Sequence, residues 1–119
     1  MQEKSVVLAV RHEDEREAIE QLLHEEGVQV HHAANAKEVI HAIEDFQCDL
    51  LITDIQLPDM HAWIMLRKIA EIKPEPNVYL IVLSDERVAS PLTQVRLVVR
   101  PVSLATLKQV VREWGLVSR

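Results

Sequence analysis

The sequence predicts an α/β fold: a parallel five-stranded sheet with helices on both faces. Two observations carry that prediction. Five short apolar runs alternate with segments of helical period along the chain, and such β-α alternation builds parallel sheets through right-handed crossovers. The run at residues 78–83 is continuously apolar, the pattern of a strand covered on both faces. The chain's 119 residues, 48% apolar and 27% charged, suit one domain. Aromatics make up only 3%, so the core must be aliphatic.

Residues 5–10 read as a buried strand. Residues 14–26 read as a helix with Ala18, Ile19, Leu22 and Leu23 on one face. Acids occupy its first turn, where the helix dipole favours them. Gly27 is the stop signal. Residues 28–34 form a second, more polar strand, expected at a sheet edge. Asn35 with Glu38 is an N-terminal capping signature, opening a helix that turns Val39, Ile40, Ile43 and Phe46 inward. Residues 50–53 are the third strand. Residues 62–72 are the third helix, with Leu66, Ile69 and Ile72 as its expected core stripe and Pro74 and Pro76 beyond its end. After the fourth strand at 78–83, only 12 residues separate Ser84 from Leu97, with Pro91 among them. A proline inside a helix costs about 3 kcal/mol, so the fourth helix is expected to be short, displaced or missing. Residues 97–99 form the fifth strand. Ser103 caps a last helix with Leu104, Leu107, Val110, Val111 and Trp114 inward.

Composition excludes several classes. A net charge of −6 argues against nucleic-acid binding by this domain. The lone Cys48 rules out an internal disulfide and a cysteine-based zinc site, and fits an inert small apolar residue. No apolar run approaches the ~18 residues of a membrane span. No signal peptide is expected at the N-terminus, and a cytoplasmic location follows as the default. Of the six histidines, His31 and His32 are adjacent and point to opposite faces of a strand, so they cannot share a metal there. His31 and His41 can approach each other across the edge strand and its helix, but solvated surface histidines are the preferred reading.

The chemistry points to Asp54. It ends the apolar run of the third strand, and Pro58 turns the chain soon after. In open α/β sheets, ligands gather at the carboxyl ends of strands. The sober alternative is a carboxylate that caps the next turn. Taken with the βα alternation, four features resemble the receiver domain of two-component response regulators: Asp54 at a strand end, Pro58, Ser84 after the fourth strand, and Arg100-Pro101 after the fifth. The resemblance covers nearly the whole chain. It implies a flavodoxin-like (βα)5 fold with sheet order 2-1-3-4-5. It also implies a phosphoacceptor at Asp54, served by a histidine kinase, and a hydroxyl at Ser84 that reports the phosphoryl group.

The departures from that family are as informative. The acidic pair that helps to bind Mg²⁺ should follow Val10, and Arg11 and His12 stand there. Reading one residue earlier gives Val10 and Arg11, which is no better. The lysine position holds Arg100, the aromatic switch position Leu97, and the glycine of the loop after the aspartate is Ala62. Mg²⁺ is held by oxygen ligands, so weak or no Mg²⁺ binding and no other cofactor are expected. For Arg11 two readings compete. Its guanidinium stands beside Asp54 as a permanent internal cation, the preferred reading because a lone rim carboxylate attracts any nearby cation, or it points to solvent. Arg100 keeps the positive charge in a planar fork suited to a carboxylate or phosphate; an exposed strand-end arginine is the equal alternative. Ser84 caps the residues from Asp85 unless Asp54 is phosphorylated. Trp63 and Ile64 lie off the expected core stripe, as a contact surface or packed under the Pro58 loop.

The leading expectation is an atypical receiver, not an enzyme: a signalling interaction module without standard Mg²⁺-dependent phosphorylation. It would bind a protein partner or a neighbouring output domain, and the chain reads as the N-terminal part of a longer one. A homodimer is compatible with this. The alternative is a working receiver phosphorylated on Asp54. A small-ligand binder at the same rim is the least favoured, since no glycine-rich phosphate loop is present.

Overall fold

Parallel pairing gathers the strands into one sheet of order β2-β1-β3-β4-β5. The strands are β1 (Ser5–Ala9), β2 (Gln29–His32), β3 (Leu50–Asp54), β4 (Tyr79–Ser84) and β5 (Val95–Val99). The helices are α1 (Glu13–Glu25), α2 (Ala36–Asp45), α3 (Ala62–Ile72) and α4 (Leu104–Glu113). This computed structural model describes residues 4–45, 47–72, 78–90 and 95–113.

The two faces of the sheet follow from strand alternation. Val6, Leu8, Leu50, Ile52, Ile81 and Leu83 pack with α1 and α4. Val7, Ala9, Leu51 and Val82 pack with α2 and α3. Each face is aliphatic, as the composition requires, and β3 is buried along its whole length. The polar strand β2 lies at an edge, as its sequence predicts.

Local signals set the helix ends. Gly27 has φ 77°, a conformation in which a Cβ is costly. Val28 N–H donates to Leu23 C=O (3.0 Å) and Gly27 N–H to His24 C=O (3.0 Å), the Schellman arrangement that closes α1. Asn35 Oδ1 accepts from Glu38 N–H at 2.9 Å, and Ser103 Oγ from Thr106 N–H at 3.2 Å.

Some expectations are corrected. Ile72 is 43% exposed; the stripe of α3 is Ala62, Met65, Leu66 and Ile69, and Ile72 is the last helical residue, beyond that stripe. Leu104 is 41% exposed because, as the first residue of α4, it stands at the rim of a groove against α1 and not over the sheet. Tyr79 is also 43% exposed, so β4 is buried only from Ile81 onward. β5 begins two residues before Leu97. Among the described residues no helix lies between β4 and β5, and 85–90 are non-helical. Phe46, Pro74, Pro76, Pro91 and Trp114 fall outside the described residues.

Candidate functional site

Register builds the site. Asp54 pairs with Leu83 and Ser84 with Val99, so β3, β4 and β5 end close together. Arg100 N–H then donates to Ser84 C=O at 2.8 Å, placing Arg100 one step past the rim. On the other side, Ala9 pairs with Thr53, so the chain leaving β1 passes Asp54. Asp54 shares strand parity with Leu50 and Ile52, which face α1 and α4. Its carboxylate therefore lies at the end of that layer, where the first turn of α1 meets the start of the β5–α4 connection.

Asp54 is 4% exposed, and both its oxygens have protein donors. Arg11 backbone N–H donates to Oδ2 at 2.7 Å. An Arg100 NH2 group donates to Oδ1 in a close ion pair. The internal cation is thus Arg100, which corrects the preferred reading of Arg11. The Arg11 side chain is exposed and makes no ion pair among the described residues. The reason is geometric: Arg11 is the residue whose backbone passes the carboxylate, so its N–H takes the contact. His12, also exposed, is the N-cap of α1 and makes no side-chain cap hydrogen bond.

Arg100 holds a second carboxylate that the sequence reading missed. Its Nε–H donates to both oxygens of Glu15 (3.2 and 3.1 Å), and its NH2 group to Glu15 Oε1 at 2.9 Å. Asp85 Oδ1 lies 3.5 Å from the remaining nitrogen but is 82% exposed, and such a pair contributes little. Burial by itself would lower the Arg100 pKa. The bonds to Glu15 and the charge of Asp54 outweigh it and hold the value above the ordinary arginine value. The signal for Glu15 was its position: it lies four residues before Ile19, on the inward stripe of α1.

The other candidates are placed as follows. Ser84, 3% exposed, donates from Oγ to Glu86 C=O (2.6 Å) and accepts from Glu86 N–H (3.1 Å). This is the capping role. Leu97 is a half-buried strand residue against the α2–α3 layer. Residues 55–61 fold back on themselves: Gln56 bridges His61, and Ala62 N–H donates to Ile55 C=O at 2.8 Å. At the tip of this loop, Asp59 accepts from Ala36 N–H (2.8 Å) and Lys37 N–H (3.0 Å), capping α2 from across the structure. Those hydrogen bonds, Ala36 first, lower the Asp59 pKa despite some desolvation. His61 Nδ1 accepts from Trp63 N–H at 3.2 Å. Trp63 packs half-buried against the α2–α3 layer, while Ile64 is 51% exposed. His32 bonds Glu20 at 2.7 Å, which lowers the Glu20 pKa. Among the described residues no three His, Cys, Asp or Glu side chains are placed to hold a metal ion. No described helix is long and apolar enough to cross a membrane.

Comparison with known proteins agrees with this fold. Residues 6–112 match the family described as the response regulator receiver domain. A CheY-like receiver domain from Methylobacillus flagellatus superposes with a TM-score of 0.81 at 15% identity, covering 95% of this chain and 99% of the other. One from Methanospirillum hungatei gives 0.76 at 24% identity, covering 94% and 93%. The receiver domain of a sensor histidine kinase from Pseudomonas aeruginosa, solved with a magnesium ion in its active-site cleft, gives 0.80 at 16% identity, covering 95% and 98%. At such identities these structures show a shared fold. Among curated proteins no sequence matches the chain.

Proposed function

The chain belongs to the response regulator receiver domains, and from that premise we propose that it is an atypical receiver: a signalling interaction module that acts through a protein partner without Mg²⁺-dependent phosphorylation of Asp54. The observation that carries this reading is the Arg100 guanidinium bonded to both Asp54 and Glu15. A phosphoryl-accepting carboxylate concentrates negative charge, which a hard cation held by oxygen ligands ordinarily neutralises. Here the donor set does not suit such an ion. Arg11 and His12 stand where the family carries acids, Asp59 is committed to α2, and Glu15 is committed to Arg100. A guanidinium supplies the neutralising charge from within the fold. The partner would be a neighbouring output domain or another protein.

A second reading, a working receiver phosphorylated on Asp54 by a histidine kinase, draws on one observation: the acceptor carboxylate and the Ser84 hydroxyl sit at the ends of paired strands. A Mg²⁺ titration separates the two. A ligand at a hundred times its dissociation constant that binds only the native state adds about 2.7 kcal/mol of stability. We expect millimolar Mg²⁺ to leave both the melting temperature and the Arg11 amide resonance unchanged. A rise of several degrees together with a saturable shift of that amide would favour the second reading.

A further inference from the structure

We propose that Glu15 is a positioning residue for this site: it orients the Arg100 guanidinium so that Arg100 stays directed at Asp54 and the carboxylate stays capped. The proposal rests on the reading that Arg100 is the cation neutralising Asp54. An arginine side chain is long, and its rotamer entropy opposes fixing it. Glu15 grips one edge of the guanidinium through Nε–H and NH2. Two parallel hydrogen bonds set the plane of the fork as well as its position. The same NH2 group then donates to Asp54 Oδ1. Glu15 is itself fixed. It lies on a helix, on the inward stripe, with 19% of its side chain exposed, in a first turn whose dipole favours its charge. The other charged groups around Arg100 give no comparable hold. Asp85 is nearly free in solvent, and Asp14, Arg11 and His12 are exposed.

The opposite role is physically available, and it predicts the opposite sign. Two carboxylates sharing one cation can compete for it. If Glu15 only competed, withdrawing it would let Arg100 close further onto Asp54. If Glu15 positions Arg100, withdrawing it weakens the Asp54–Arg100 pair. The test is a double-mutant cycle on folding stability with Asp54→Asn and Arg100→Gln, run in the parent and again in Glu15→Asp. Glu15→Asp keeps the charge and shortens the side chain by one methylene. Glu15→Gln serves if that variant does not fold. We expect a parent coupling of roughly a hundredfold in the folding equilibrium, within the range for contacting groups, shrinking to about fivefold in Glu15→Asp. The Arg100 Nε–H proton should also exchange with solvent faster in that variant, a readout that general loosening of α1 without loss of the fork would not single out. A parent coupling that persists or grows in Glu15→Asp overturns the positioning role and leaves Arg100 as the neutralising cation. No coupling in the parent overturns that reading, and the role of Glu15 falls with it.

Discussion

A carboxylate as buried as Asp54 is costly unless each oxygen finds a donor, and of its two donors among the described residues one is a full charge. Removing one partner of a buried ion pair costs about 3–5 kcal/mol, because it strands the other. Arg100→Ala is therefore expected to destabilise the domain by an amount toward that range in chemical denaturation. Arg100→Ala combined with Asp54→Asn is expected to recover most of the loss, since the stranded charge left is then only Glu15, whose side chain is more exposed than that of Asp54. Equal destabilisation by the single and the double variant would mean that Arg100 acts through packing alone. Asp54, Ser84 and Arg100 were legible as residues, because strand ends and a proline turn mark them. Glu15 and the choice of cation were not. An acid in a first turn reads as a dipole effect, and only the stripe it shares with Ile19, Leu22 and Leu23 shows that it points inward. Which arginine reaches Asp54 depends on whether its backbone or its side chain occupies the rim, and a linear sequence does not show that.

The helices divide according to how local their signals are. Gly27, Asn35 and Ser103 do what their types predict, since each cap involves residues within a few positions. The cap that Asp59 places on α2 spans 23 positions in sequence and left no local trace. Its lowered pKa fixes a sign. A carboxylate depressed in the folded state adds stability above the ordinary aspartate value of 3.8, and that stability is lost as pH falls through the folded value. The stability gap between the parent and Asp59→Ala is thus expected to be open at pH 7 and to narrow below pH ~3.8, as read from urea midpoints. A gap independent of pH would mean that the side chain's charge plays no part in the cap. The outer ends of α3 offer a simpler check. Ile69→Ala is expected to cost roughly 2–5 kcal/mol and Ile72→Ala less than about 0.5, because the former is 3% exposed and the latter 43%. Sequence periodicity alone put both on one stripe.

At the scale of the whole molecule, strand order and alternation decide where the chemistry falls. Parallel register brings the ends of β1, β3, β4 and β5 to one rim, where α1 supplies Glu15 and the connection after β5 supplies Arg100. A groove of about 610 Å³ opens beside them, walled by Ala18, Ile19, Val102 and Leu104. The missing helical run at residues 85–90 leaves Asp85, Glu86, Arg87 and Ala89 exposed. Those amides are expected to exchange far faster than those of Ile81–Ser84, because few apolar groups anchor them. Slow exchange there would show order that the open backbone does not. The fold and its topology were readable because alternation is periodic and repeated; the state of the site was not, because it turns on three side chains from separate segments. The most direct test of the account is an intact-mass spectrum of the domain after incubation with a small acyl phosphate donor and Mg²⁺, with Asp54→Asn alongside. With Arg100 capping Asp54, no added phosphoryl group that depends on Asp54 is expected. One phosphoryl group gained by the parent and absent from Asp54→Asn would contradict the account and make this a working phosphoacceptor.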